Sequence, residues 1–202
     1  AQAAVSAIAY DVMDDADEPW DSVSLGIDGL WSLMTGPMME HEALANIFSF
    51  LEVLGDVAEP QAVAQLALKN GIEVSDDGFA KGISDDAGFA DNLPLYHTLS
   101  GASGAVEVTL RVPDGPSAYN KADHNRYLRI EGTGELLEVY TLSEQDVDLE
   151  VFDRGTRMGI SESPTGEESV LIQTELGRTY VAVLTGWHNK VGKTYTAKLG
   201  VR

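Results

Sequence analysis

Four histidines, at positions 41, 97, 124 and 188, are the side chains of this 202-residue chain whose ordinary titration falls near neutral pH. Hydrolytic zinc chemistry needs two histidines one helical turn apart with a glutamate beside the first. None of the four has a partner at that spacing. His41-Glu42-Ala43-Leu44-Ala45 opens in the right way and then places alanine where the second histidine would stand. The segment reads instead as the beginning of a helix, with Glu40 and Glu42 at the positive end of its dipole. Gly159-Ile160-Ser161-Glu162-Ser163 misses the serine nucleophile elbow at its last position and falls between strands. Gly132-Thr133-Gly134 is too short for a dinucleotide fingerprint and reads as a hairpin turn. The absence of cysteine removes disulfides, thiolate zinc sites and cysteine nucleophiles. The expectation is that this stretch of polypeptide is not itself an enzyme.

The acidic residues are the other reservoir of chemistry. The net charge is −20 and the sequence pI is about 4.3. Such a surface repels nucleic-acid phosphates and anionic membranes, so the expected partners are cations and neutral or basic polymers, not nucleic acid. Asp14-Asp15-Ala16-Asp17-Glu18 has oxygen ligands for calcium but lacks the glycine and distal glutamate of an EF-hand loop, and reads as a solvated acidic loop. Asp146-Val147-Asp148 begins a strand, where alternation sends Val147 and Leu149 inward and the acids outward or onto turn amides. No apolar run approaches the roughly 20 residues that span a bilayer, so membrane insertion is not expected. Ala1–Val5 has neither a basic flank nor an apolar run, so a secretory leader would lie upstream.

Charge and periodicity both change partway along the chain. Residues 1–91 hold 18 acids and two bases, Lys69 and Lys81, whereas residues 92–202 hold 15 acids and 11 bases. The first part repeats at the helical period. Val5, Ile8, Ala9 and Val12 form one stripe; Ile27, Leu30, Trp31 and Met34 form a second that stops at Gly36-Pro37. Leu44, Ile47, Phe48, Leu51 and Leu54 form the third and strongest, and a fourth helix runs from Pro60 to Asn70-Gly71. These stripes suit either a small bundle or one side of a larger domain. The second part alternates at period two in about seven strands: residues 106–112, 127–130, 137–142, 147–152, 169–173, 180–184 and 194–201. Tyr180, Ala182 and Leu184 would line one face of their strand and Val181 and Val183 the other, as in a central strand covered on both sides. The expected class is therefore α+β in two parts: a helical cluster over 1–83, a Gly/Asp-rich linker over 84–91, and an antiparallel β-sandwich over 92–202.

Several pieces of the second part occur in a recognisable order: Asp123-His124-Asn125-Arg126-Tyr127-Leu128-Arg129-Ile130, then Asp146-Val147-Asp148-Leu149-Glu150-Val151. They continue with Ser161-Glu162-Ser163, Gly177-Arg178-Thr179-Tyr180-Val181-Ala182-Val183 and Tyr195-Thr196-Ala197-Lys198-Leu199-Gly200-Val201. This succession resembles the bacterial pre-peptidase C-terminal domain. The resemblance implies a jelly-roll-like β-sandwich, secretion, and a calcium site at the N-terminal edge, with Asp91, Asn92, Asp123 and Asn125 as ligands. The alternative is that Asn92 and Asn125 simply cap turns.

The first part also resembles a known group. Ala7–Val12, Val23–Trp31, Asn46–Leu51 and Asn70-Gly71-Ile72 are similar to the region downstream of the active site in secreted bacterial zinc metallopeptidases, whose His-Glu-x-x-His helix comes earlier in the chain. Zinc would then belong to an upstream portion, and that catalytic portion would be a partner of the helices. Two further readings stay open: a module binding a polymer such as collagen or polysaccharide, with Trp187 and Tyr195 available although core packing suits them better, and a structural or adhesive surface protein.

Overall fold

A computed structural model describes residues 2–15, 22–83, 93–99, 103–111, 125–187 and 194–202. The chain forms two compact units, Ala1–Asp85 and Asp86–Arg202. Helices make up the first and two β-sheets the second, an α+β composition.

In the first unit the helices are α1 (Gln2–Met13), α2 (Gly26–Thr35), α3 (Pro37–Glu40), α4 (Ile47–Gly55) and α5 (Pro60–Lys69). Side chains set their ends. The Asn46 carboxamide accepts from the backbone N–H of Phe48 at 2.7 Å and of Ser49 at 3.0 Å, and Ser49 Oγ accepts from Asn46 N–H at 3.0 Å. This reciprocal cap satisfies amides that the first turn would otherwise leave open. It also starts α4 at Ile47, so Leu44, expected within the helix, lies before it. Gly71, with φ of 70°, ends α5 in the left-handed conformation, and Ile72 N–H returns to the Ala67 carbonyl at 2.9 Å.

Ile8, Val12, Val23, Leu33, Val53, Leu54, Val63 and Leu66 form the core of this unit. The stripe expected on α2 is not its buried face. Leu33 is buried and Leu30 partly so, but Ile27 is 71% exposed, Trp31 70% and Met34 44%. The segment at His41 also departs from expectation. Glu40 is the last residue of α3 and His41 its C-terminal cap, so neither sits at the positive end of a long helix.

The second unit has nine strands among the described residues: β1 (Tyr96–Thr98), β2 (Gly104–Arg111), β3 (Asn125–Glu131), β4 (Leu136–Ser143), β5 (Val147–Asp153), β6 (Thr156–Ser161), β7 (Glu167–Gln173), β8 (Thr179–Gly186) and β9 (Thr194–Val201). They form a five-stranded sheet, β1-β3-β8-β5-β6, and a four-stranded sheet, β2-β9-β4-β7. Every pairing is antiparallel except β1 with β3. Leu110, Leu128, Val139, Val147, Leu149, Ala182, Leu184 and Leu199 are fully buried in one shared cluster, the arrangement of a sandwich. Both faces of β8 are covered: Tyr180, Ala182 and Leu184 join that cluster, and Val181 and Val183 are 1% and 5% exposed. Across the strands Val183 faces Tyr127 and Glu150, and Val181 faces Arg129 and Phe152.

The Gly132–Gly134 segment is not a hairpin turn. It carries the chain from β3 in one sheet to β4 in the other. Gly132 N–H donates to the Arg178 carbonyl at 2.7 Å, and a Cβ at Gly132 would lie 2.2 Å from the Glu175 carbonyl oxygen. The tight turn is Arg154-Gly155 between β5 and β6, with φ of 45° and 73°, the mirror-image turn that suits the twist of paired strands.

Candidate functional site

Of the four residues expected to hold calcium, Asp91, Asn92 and Asp123 lie outside the described residues, and so does the linker over 84–91. Asn125 is the first residue of β3. Its Oδ1 accepts from Thr185 Oγ1 on β8 at 3.2 Å, its Nδ2 is 3.5 Å from the Tyr127 hydroxyl, and its carbonyl accepts from the Arg126 guanidinium at 2.8 Å. The amide thus works as a cross-strand tie at this end of the sheet. Beside it the rings of Tyr96 and Tyr127 lie 5.2 Å apart, and Arg126 is 2% exposed. Burial, followed by the charge of Arg126, lowers the pKa of His97 below the ordinary imidazole value.

The other candidate from the sequence, His41, is tied up at both ring nitrogens. Nδ1 accepts from Ala43 N–H at 2.9 Å, which leaves Nε2 to carry the proton and donate to Glu52 Oε2 at 3.1 Å. The same carboxylate oxygen accepts from Gly78 N–H, and Asn46 Nδ2 reaches the Gly78 carbonyl at 3.1 Å. A Cβ on Gly78 would lie 2.5 Å from His41 Cε1 and 2.6 Å from Glu52 Oε2, so only glycine admits this approach. The dyad joins the loop before α4 to the turn at Gly78 and engages both ring nitrogens of His41.

Ser161 and Ser163, the serines of the near-elbow, also serve a carboxylate. Both hydroxyls and the Ser163 N–H donate to Glu168, which is 4% exposed on β7 of the opposite sheet. Gly159 precedes them because a Cβ there would lie 2.4 Å from Val170 Cγ1. This is a seam between β6 and β7, in which the one carboxylate is shared by both hydroxyls and the Ser163 N–H.

Residues that the sequence named separately, Trp187, Tyr195, Asp146 and Asp148, gather at the end of β8. The Trp187 side chain hydrogen-bonds to Asp148, and its backbone N–H donates to the Asp146 carbonyl at 3.0 Å. Burial, then the charges of Glu162, Asp146 and Glu168, raise the pKa of Asp148 above the ordinary carboxylate value, against the opposing hydrogen bond from Trp187. The Asp146 Oδ1 atom is buried with no hydrogen-bond partner among the described residues. Burial, then Asp146, push Tyr195 up to about 12, and its hydroxyl occupies the place where a Cβ on Gly186 would stand, 2.1 Å away. Tyr195 packs against the core as expected, but Trp187 is 55% exposed. Its signal was its position after Gly186, where the apolar run of β8 has already ended. Chemically this is an exposed indole face beside carboxylates. Among the described residues no three His, Asp or Glu side chains are grouped so as to hold a metal ion.

No protein-family profile matches the chain, and no curated protein matches it. Among solved structures it is similar to the pre-peptidase C-terminal domain of a collagenase from Bacillus anthracis, at 12% identity and a TM-score of 0.39, over 53% of this chain and 94% of that one. It is also similar to PliG, a periplasmic inhibitor of g-type lysozyme. The Aeromonas hydrophila protein shows 10% identity and a TM-score of 0.39 over 52% of this chain and 93% of its own. The Salmonella Typhimurium protein shows 8% and 0.33 over 53% and 96%.

Proposed function

We propose that the chain is the C-terminal, non-catalytic portion of a secreted bacterial zinc metallopeptidase, with the β-sheet unit as an accessory sandwich for secretion, stability or substrate contact. The observation that supports this reading is the outward stripe of α2. A helix of a self-sufficient domain turns its apolar stripe inward. Here Ile27, Trp31 and Met34, one turn apart along one side of α2, are exposed. Exposed apolar surface of this kind marks an interaction site, and the occupant in this reading is the upstream catalytic portion of the same protein. The test is to express the open reading frame with the segment preceding Ala1. It should contain a His-Glu-x-x-His helix and cleave casein in a zinc-dependent way, and Trp31→Asp should lower that activity without lowering the melting temperature of the present chain alone. A preceding segment without the metal-binding helix, or an unaltered activity in Trp31→Asp, overturns the reading.

The same reading carries calcium at Asp91, Asn92, Asp123 and Asn125. Binding to the folded state stabilises it by mass action, so millimolar calcium should raise the melting temperature of the chain and magnesium should not. An equal effect of both ions favours turn capping by the two asparagines.

The exposed ring of Trp187 favours a second reading, a module that binds a polymer such as collagen or polysaccharide. Its test is retention of the chain on the immobilised polymer, lost in Trp187→Ala.

A further inference from the structure

A groove of about 270 Å³ runs between α4 and α5. Its floor is apolar, with Phe48 and Leu51 on α4 and Val63 and Ala67 on α5. Val63 and Ala67 are buried beneath it, while Phe48 and Leu51 are only half-buried. Thus part of the strongest apolar stripe in the sequence, whose Leu54 is fully buried, stays partly open to solvent. The groove exists because small residues flank it: Gly55, where an added Cβ would meet nothing within 4 Å, and Ala64. Its volume falls below the roughly 300–1,000 Å³ of small-molecule sites and suits one large apolar side chain.

Charge on the lining is of one sign and at one place. Glu52, Asp76 and Asp77 are the lining residues that ionise, and Gly55 and Pro60, where α4 turns toward α5, bring none. Asp77 Oδ1 holds the turn by accepting from Phe79 N–H at 3.0 Å and Lys81 N–H at 3.1 Å, and Glu52 is held by His41 and Gly78. These bonds fix two carboxylates in place, and Asp76 stands exposed beside them.

We propose that this groove docks a short segment of another polypeptide in which a large apolar side chain is followed by a lysine or arginine. The apolar side chain enters between α4 and α5 and removes the half-exposed faces of Phe48 and Leu51 from water. The cation lies over Asp76, next to Glu52 and Asp77. This is the anchor-and-charge pattern by which apolar grooves read peptides, and the acidic end sets the direction in which the segment lies.

The proposal is tested by titrating the isotope-labelled chain with acetyl-Leu-Phe-Lys-amide and, in parallel, acetyl-Leu-Phe-Glu-amide at low ionic strength, following backbone amide shifts. Saturable shifts should centre on Leu51, Ala64 and Asp76, and the lysine peptide should bind more tightly than the glutamate peptide. Asp76→Asn should weaken the lysine peptide by about two- to fivefold, the range of an exposed ion pair, and should tighten the glutamate peptide, because the same charge repels it. Ala64→Trp, which fills the groove, should abolish the shifts. Should that variant fail to fold, Gly55→Leu fills the same space from the other helix at a position with open room. Shifts that do not saturate, equal binding of the two peptides, or full binding by a folded groove-filled variant would each overturn the proposal.

Discussion

His41 Nε2 lies 3.1 Å from Glu52 Oε2, eleven residues away, and the pair closes around Gly78 from two sides. Since Nδ1 is engaged by Ala43 N–H, the imidazole ties the 41–43 segment to α4, and Glu52 carries the tie on to Gly78. His41→Ala removes both bonds and leaves the amide of Ala43 and the carboxylate of Glu52 without that partner. The expected cost is about 2 kcal/mol, within the range for losing a part-buried hydrogen-bonded group. Gly78→Ala acts in the same direction through the clash. Thermal melts should show the loss, and amide exchange should speed up at Gly78 and Ala43 first. A double-mutant cycle of His41→Ala with Glu52→Gln should give a coupling of about 1 kcal/mol. Additive effects would mean that the two side chains act separately.

Glycines divide into two kinds by what surrounds them. At Gly132 an added Cβ would meet the Glu175 carbonyl at 2.2 Å, and at Gly166 the Ser143 carbonyl at 2.0 Å. Both obstacles are backbone and cannot swing aside. Gly132→Ala and Gly166→Ala are each expected to destabilise the β-sheet unit by about 3 kcal/mol or more. At Gly155 nothing stands within 4 Å, and the φ of 73° is the only obstacle, so Gly155→Ala should cost about 1–2 kcal/mol. Denaturant midpoints measure the contrast. Equal losses at all three positions would refute the steric account of Gly132 and Gly166.

Periodicity showed the strands with large apolar alternation and hid the others. Val147, Leu149 and Val151 are fully buried, as their spacing in Asp146–Phe152 requires. β6 escaped because it is an edge strand whose sequence, Thr-Arg-Met-Gly-Ile-Ser, is mostly exposed and does not alternate. β1 escaped because three residues in a parallel pair leave no repeat to read. Gly132-Thr133-Gly134 has the composition of a hairpin turn, and composition does not say which sheet the next strand joins. The α2 stripe was legible as apolar but not as outward-facing, since period alone does not decide whether a face meets its own core or another surface. Trp187 has the same ambiguity: a tryptophan after an apolar strand fits a core as well as a rim. Among the proposed calcium ligands the residue types were legible, and only Asn125, engaged by Thr185 and near Tyr127, has described surroundings.

Tyr195 makes the stability of the chain sensitive to alkali. Its phenol titrates at about 12 in the folded state, against an ordinary value of 10.0. The folded state therefore keeps this proton where the unfolded chain has lost it. Stability is unaffected by this group below about pH 10 and falls as pH rises from about 10 to about 12. Two pH units unscreened would be about 2.7 kcal/mol, and solvent reaching the partly exposed ring reduces that to about 1 kcal/mol. Tyr195→Phe should flatten this part of the stability profile. The check is the difference between the two proteins' urea midpoints at pH 9 and pH 11.5; a constant difference would rule the phenol out.

Asp148 gives the opposite end of the pH scale. It lies among like charges, with Asp146 two residues before it and Glu162 and Glu168 nearby, and burial and those charges raise its pKa. A carboxyl whose folded pKa is raised favours folding while protonated, and that advantage is lost as pH rises from the unfolded value through the folded one. At neutral pH the ionised Asp148 thus opposes folding. Asp148→Asn keeps an oxygen that can accept the Trp187 indole N–H, removes the charge, and should raise the melting temperature at pH 7. The gain should shrink on acidification below the ordinary carboxylate pKa of 3.8, where wild-type Asp148 is itself neutral. It should also shrink in molar salt, because the repulsion from Glu162 and Asp146, which are open to solvent at least in part, is screened over a few ångströms at that ionic strength. Asp148→Ala removes the acceptor as well and should gain less than Asp148→Asn. Melts of the three proteins at pH 3 and pH 7, with and without salt, decide it. A lower melting temperature for Asp148→Asn at pH 7 would show that the carboxylate is held by an attraction stronger than the repulsion of its neighbours.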